Sequence, residues 1–151
     1  MIHYIPTGDI FQLPETKNYA HGCNCAGAMG KGIAVAFKEK FPEMYLSYKQ
    51  LCKTGNFKPG DVFTYKYQDG YVFNVGTQKS WTTPATLDTV TQGLDKMMKE
   101  ATTAGVDNIA LPRIGAGLGK LDWEEVKRVI NHIGDAYPHI DLYVVENYSL
   151  I

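Results

Sequence analysis

Apolar positions along this chain fall into two patterns, short continuous runs and stripes repeating every three or four residues. "HYIP" (residues 3–6) and "YAHGC" (residues 19–23) are short runs and predict strands. From Gly32 the period becomes helical, with Ile33, Ala34, Phe37 and Phe41 on one stripe. Pro42 predicts a break or restart there, and "EMYLSYKQLCKTG" carries the helix on to a stop signal at Gly55. "DVFTYKY" and "YVFNVGT" flank "QDG", which predicts a hairpin of Val62–Tyr67 and Tyr71–Val75 around a short Asp-Gly turn. Beyond Pro84, Leu87, Val90, Leu94, Met97, Met98 and Ala101 mark an amphipathic helix that ends at Gly105. "NIALP" is apolar throughout, as in a strand buried on both faces. "DWEEVKRVINHIGDAY" opens on an Asp N-cap with acidic residues in its first turn and predicts a helix running to Pro138. "DLYVVEN" reads as a last strand.

Strands alternating with helices imply an α/β domain of three layers, α/β/α, in which helices flank both faces of a mixed sheet and the hairpin supplies the antiparallel part. In such sheets ligands bind at the carboxyl ends of the strands, in loops that lead into helices. A length of 151 residues fits one domain spanning 1–151. With 21% charged residues and a net charge of −1, the composition offers no basic excess, which makes a nucleic-acid partner unexpected. The apolar stretches fall far short of the roughly 20 residues of a membrane helix. "MIHYIPTGDI" has neither the basic region nor the apolar core of a signal peptide, so the expectation is a cytoplasmic monomer acting on a small molecule. The three cysteines are an odd number. Cys23 and Cys25 would share one face of a strand, Cys52 is remote in sequence, and His21 has no second ligand pair nearby. That spacing predicts neither a metal centre nor a redox motif.

Two loops sit where a ligand is expected. "NCAGAMGKG" follows the strand "YAHGC", and "RIGAGLGKL" follows "NIALP"; each places glycines between a buried strand and a helix N-terminus. Glycine lets backbone N–H groups approach a ligand, and the helix end adds partial positive charge. Two such loops in one sheet point to a ligand with a diphosphate or several oxygens. "GAMGKGIA" lacks the spacing of a Walker A loop, and "GAGLGK" is not a dinucleotide fingerprint, which counts against ATPase and hydride-transfer chemistry.

"TGDI", "NCAGAMGKGIA" and "LPRIGAGLGKLDWEEV", in that order, resemble the signatures of the macro domain over essentially the whole chain. "PRIGAGL" followed by Trp is similar to the branch that includes terminal ADP-ribose glycohydrolase and the bacterial antitoxins that remove ADP-ribose from DNA. "HGCNCAG" is most similar to the yeast-type ADP-ribose-1″-phosphate phosphatase. The resemblance implies ADP-ribose in a crevice across the top of the sheet, and it implies a role for each matching position. Asp9 would accept from the adenine amino group, with Gly8 and Ile10 beside it, although an Asp there is also a turn former. Asn24 would bind the distal ribose, a role compatible with an Asx turn. Gly30, Lys31, Gly32 and Ile33 would line the distal ribose and proximal phosphate. Gly115, Ala116, Gly117 and Leu118 would wrap the diphosphate with backbone amides, with Arg113 and Gly119 beside them as ligand-binding residues. Asn147 and Tyr148 would close the adenine end, Tyr148 by stacking or as plain packing.

The same comparison marks departures. The catalytic lysine of the glycohydrolase branch falls on Gln78, with Lys79 adjacent, and its acidic residue falls on Gly119. Gln cannot form a lysyl–sugar adduct, and glycine is neither acid nor base. Asp122 lies too late and reads as the N-cap. His21, with an ordinary pKa of about 6.5, could be an acid, base or nucleophile toward a phosphate monoester, or a buried strand-end histidine. The leading expectation is therefore a phosphatase acting on ADP-ribose-1″-phosphate, with His21 and Asn24 flanking the scissile phosphate and no metal or cofactor required. Hydrolysis of ADP-ribose from protein or nucleic acid, and binding without turnover, are the alternatives.

Overall fold

The elements form where the periodicities place them: β1 (Ile2–Ile5), a 3-10 turn (Ile10–Gln12), β2 (Tyr19–Asn24), α1 (Ile33–Lys40), α2 (Pro42–Lys53), β3 (Val62–Tyr67), β4 (Gly70–Gln78), α3 (Leu87–Ala104), β5 (Asn108–Leu111), α4 (Trp123–Ala136) and β6 (Asp141–Val145). The structure is a computed structural model and describes residues 1–149. Leu150 and Ile151, the end of the expected 1–151 domain, lie outside the described residues.

Local chemistry accounts for the boundaries. The Phe41 N–H donates to Phe37 O at 2.9 Å, closing α1, and Pro42 starts α2 at a position where no donor is needed. Thr86 caps α3 through the Thr89 N–H at 3.2 Å, and Gly105, at φ 75°, ends it. Asp122 caps α4. The hairpin differs in detail from expectation. Tyr67 pairs with Gly70, so the turn is Gln68–Asp69 and Gly70 belongs to β4. Gly70 is needed there for close packing, since a Cβ would strike the Lys17 carbonyl. β4 also runs on past Val75 to Gln78, because Gly76 and Gln78 pair with Cys23 and Asn24 of β2.

The six strands lie in the order β1-β6-β5-β2-β4-β3, and every neighbouring pair is parallel except β3–β4. Helices cover both faces. Phe37, Met44 and Tyr48 of α1 and α2 pack with Tyr19, Cys23 and Val72 on one face. Val90, Leu94 and Met97 of α3 pack with Val126 and Ile130 of α4, together with Phe73 and Ile109, on the other. The three-layer expectation is thus met. β2 and β5 share only the Tyr19–Ala110 register pair, and then the strands part. The chain leaves β2 for α1 on one face and β5 for α4 on the other, so their carboxyl ends open a crevice at the switch point of the sheet.

Candidate ligand-binding site

A cavity of about 410 Å³ occupies that crevice. Its wall includes Asn24, Gly30, Lys31, Gly32 and Ile33 from the first loop, and Arg113, Gly115, Gly117, Leu118 and Gly119 from the second. Gln78 and Tyr148 complete the set of expected residues on the wall. The two loops separated by some 80 positions in sequence (about 3.3 Å per extended residue) therefore face one another across one space. Gly8, Asp9, Ile10, His21, Lys79, Ala116 and Asn147 are not on the wall.

In the first loop, Asn24 is buried and organises its own turn. Its Oδ1 accepts the N–H groups of Ala26 at 3.0 Å and Ala28 at 3.3 Å, and its Nδ2 donates to Ala28 O at 2.7 Å. The buried Tyr48 hydroxyl adds a bond to Asn24 Oδ1 at 3.0 Å, tying the loop to α2. The loop then enters α1 through Gly32 at φ 64°, with no side-chain cap and no acidic residue in the first turn. Gly32, Ile33 and Ala34, at the N-terminus of α1, line the cavity, an arrangement suited to an anion.

The second loop is held as a tight coil by the bonds from Ala116 N–H to Arg113 O at 3.1 Å and from Leu121 N–H to Gly115 O at 3.0 Å. Gly115 has φ 79°, and a Cβ on it would come within 2.8 Å of Val90, so only glycine fits. Among the described residues, the N–H groups of Gly115, Gly117, Leu118 and Gly119 meet no backbone acceptor and remain for a ligand. Lys31 and Arg113 add charge to the wall. Segments 24–34, 76–87 and 112–121 carry Lys31, Lys79, Arg113 and Lys120 and contain no Asp or Glu. The net charge of the chain conceals this local imbalance.

Gln78, 7% exposed, has its amide nitrogen 2.8 Å from Thr83 O, 3.3 Å from Leu118 O and 3.5 Å from Ser80 O. It pins the end of β4 to the loop that follows and to the second glycine loop. Lys79 is exposed beyond it.

His21 is placed away from the space it was expected to serve. Its ring is fully buried on the α1–α2 side of β2, stacked on Phe37 with ring centroids 3.9 Å apart and 5° between the planes. Nε2 lies 2.7 Å from Asn74 Oδ1, while the Asn74 amide donates to Phe63 O at 3.0 Å; this network assigns the proton to Nε2. Burial lowers the His21 pKa to about 4, against the weaker upward pull of the bond to Asn74. The thiols stay neutral as well: burial pushes Cys25 up to about 12 and raises Cys23 and Cys52. Among the described residues, no group of three or more His, Cys, Asp or Glu is arranged to hold a metal ion, and no helix is long and apolar enough to cross a membrane.

At the other end of the cavity, Gly8 and Tyr148 form a parallel bridge, which brings Asp9 next to the wall residue Tyr148. Asp9 Oδ1 accepts the Phe11 N–H at 3.0 Å and starts the 3-10 turn. Burial raises the pKa of the Tyr148 hydroxyl, which has no hydrogen-bond partner among the described residues. Asn147 donates to Pro6 O at 2.9 Å, joining the two terminal segments.

Sequence reasoning missed several wall residues, among them Thr77, Trp81, Ile114, Val145 and Glu146. Trp81 had a signal, an aromatic residue alone in a Ser/Thr-rich loop after a strand. Glu146 follows β6 directly and accepts from Trp123 Nε1 at 2.8 Å and Lys127 Nζ at 3.4 Å. The Trp123 bond, followed by Lys127, holds its carboxyl below the usual range.

Comparison with known proteins gives three matches of note beside a family model. The model described as "Macro domain" matches residues 20–130. The chain is 34% identical over 143 residues to a "DNA ADP-ribosyl glycohydrolase" of Thermus aquaticus, covering 92% of this chain and 39% of that relative. The chain thus spans about two fifths of that relative's length. It is 29% identical to an "ADP-ribose 1''-phosphate phosphatase" of Debaryomyces hansenii, over 97% of this chain and all of that one. The solved macrodomain of Mycobacterium tuberculosis DarG superposes with a TM-score of 0.89 at 32% identity, covering 97% of each chain.

Proposed function

The chain belongs to the macro domain family, and from that premise we propose that it binds an ADP-ribosyl group in the crevice and hydrolyses the bond at C1″ of the distal ribose. The observation that carries this reading is the pair of facing donor loops. The start of α1, without a side-chain cap, lies on one side and the free amides of Gly115, Gly117, Leu118 and Gly119 on the other, with no carboxylate in either loop. A diphosphate between them gains charge-assisted hydrogen bonds from both walls. Adenine is assigned to the end bounded by Tyr148 and Asp9, and the distal ribose to Asn24 and the Gly30–Ile33 segment.

Of the two hydrolytic reactions, release of ADP-ribose from a carrier fits the site better than removal of a 1″-phosphate. The phosphatase reading relied on His21 for acid–base chemistry, and His21 is fully buried off the cavity wall. Gln78 has its amide committed to carbonyls, and the Cys23 thiol is held protonated by burial, so neither supplies a nucleophile. Water would attack C1″ directly. The bond to the carrier breaks with its electron pair leaving on the carrier, and the proton of water passes to that group or to solvent. The chain contributes position and fixed charge, holding the diphosphate so that C1″ stays open to water. One observation keeps the phosphatase as a second reading: Lys31 and the α1 N-terminus lie at the end where a terminal phosphate would sit.

Calorimetry with ADP-ribose tests the binding half, with a Kd in the micromolar range expected (about −8 kcal/mol). Product analysis on ADP-ribose-1″-phosphate and on ADP-ribosylated oligonucleotide and peptide tests the chemistry. Failure to bind ADP-ribose would refute the whole reading. Binding without any product would leave a module that recognises ADP-ribose and does not turn it over.

A further inference from the structure

Trp81 is the largest side chain on the cavity wall, and it is 52% exposed. Leu118, 45% exposed, is the other exposed large apolar residue on that wall. Together on the wall of one cavity, the two offer exposed apolar surface of the kind that lines ligand-binding grooves. The position of Trp81 is also built. The Thr83 N–H donates to Ser80 O at 3.2 Å, closing a turn, and Ser80 and Thr83 hydroxyls bond at 2.7 Å. From below, the buried Gln78 amide donates to Thr83 O. Trp81 sits at the tip of this braced turn, and Lys31 Nζ of the opposite loop lies over its ring, 5.2 Å from the centroid.

We propose that Trp81 is a specificity-determining residue, a stacking platform for a planar ring bonded to C1″ of the ligand's distal ribose. The inference rests on the ADP-ribosyl reading of the crevice. It adds that the group beyond C1″ is recognised by its ring. Lys31 marks the distal end, and a ring leaving the cavity there meets the indole. Such stacking is tolerant of ring identity and contributes about tenfold or more in affinity. Lys31, displaced from the indole, and the exposed Lys79 next to the turn can pair with phosphates linked to the ring. Two sources supply this chemistry: a nucleobase-linked ADP-ribose within a single strand, and the nicotinamide ring of NAD. The cations favour the first, because the nicotinamide ring itself carries positive charge.

The test is the ratio of affinities, ring-bearing ligand over ADP-ribose, for native chain, Trp81→Ala and Trp81→Phe. The ring-bearing probes are NAD and a short single-stranded oligonucleotide carrying a base-linked ADP-ribose. The ratio is expected to fall about tenfold in Trp81→Ala for at least one probe and to be largely retained in Trp81→Phe, with the affected probe naming the source. Equal losses for ADP-ribose and both probes would overturn the proposal, since the indole would then pack on the ribose itself. No loss for either probe would overturn it equally. Failure of the native chain to bind ADP-ribose would instead strike the reading of the crevice.

Discussion

Acidification from pH 7 is expected to weaken the fold, and His21 contributes the part of that loss that begins near pH 6.5, above the range of the carboxylates Asp95 and Glu146. In the folded chain its pKa is about 4, against an ordinary value of 6.5, because the imidazolium would be buried without solvent or an anionic partner. A base with a lowered folded pKa takes up its proton more readily when unfolded. Stability from this group is therefore complete above pH 6.5, declines as pH falls, and stops declining near pH 4. The full loss is the shift multiplied by about 1.36 kcal/mol, or about 3 kcal/mol, of which about 2 kcal/mol is gone by pH 5. That is a large part of the roughly 5–15 kcal/mol of a typical domain. Urea denaturation at pH 7, 6, 5 and 4.5 measures it, with His21→Gln as the comparison. The variant starts less stable, having lost the stack on Phe37, and should show a shallower pH slope. An equally steep decline in His21→Gln between pH 6.5 and 4.5 would refute the assignment.

Other expectations follow from the loops. His21→Gln should keep its hydrolytic rate within about threefold once folded, checked by steady-state kinetics at pH 7.5, since the ring does not reach the cavity. Gly115→Ala forces a side chain into φ 79° against Val90, and thermal melts should show a loss of about 1–3 kcal/mol together with loss of ADP-ribose binding. Asn24→Ala strands the Ala26 and Ala28 N–H groups, while the Tyr48 hydroxyl keeps the Asn24 backbone carbonyl at 2.7 Å; calorimetry should show ADP-ribose affinity down at least about tenfold. Gln78→Ala removes the pin between the Thr83 and Leu118 carbonyls, and faster amide hydrogen exchange in both loops is the expected reading.

Periodicity and local punctuation sufficed for the elements, because amphipathic stripes, Thr86, Asp122 and Gly105 act through neighbours in sequence. The three layers followed from the alternation of strands and helices. The two glycine loops were visible for the same reason: strand, glycines and helix start lie consecutively. What local pattern could not supply was side-chain direction and remote pairing. A histidine at the end of β2 reads alike whether it faces the crevice or Phe37, and only the packing of α1 against the sheet decides which. The hairpin turn moved by one residue because Lys17 and Asn18, far off in sequence, receive Gly70 and Tyr71. Gln78 read as a lost lysine, yet the fold makes it a brace, since its acceptors Thr83 and Leu118 come together only when β4 and β5 share a sheet. Net charge likewise hid a cation-bearing rim that exists only once three separate segments converge. The sequence by itself determined which segments become strands, helices and donor loops, since those depend on near neighbours. Tertiary structure alone decided which side chains face the ligand, because that depends on the parting of β2 and β5 and on what packs behind them.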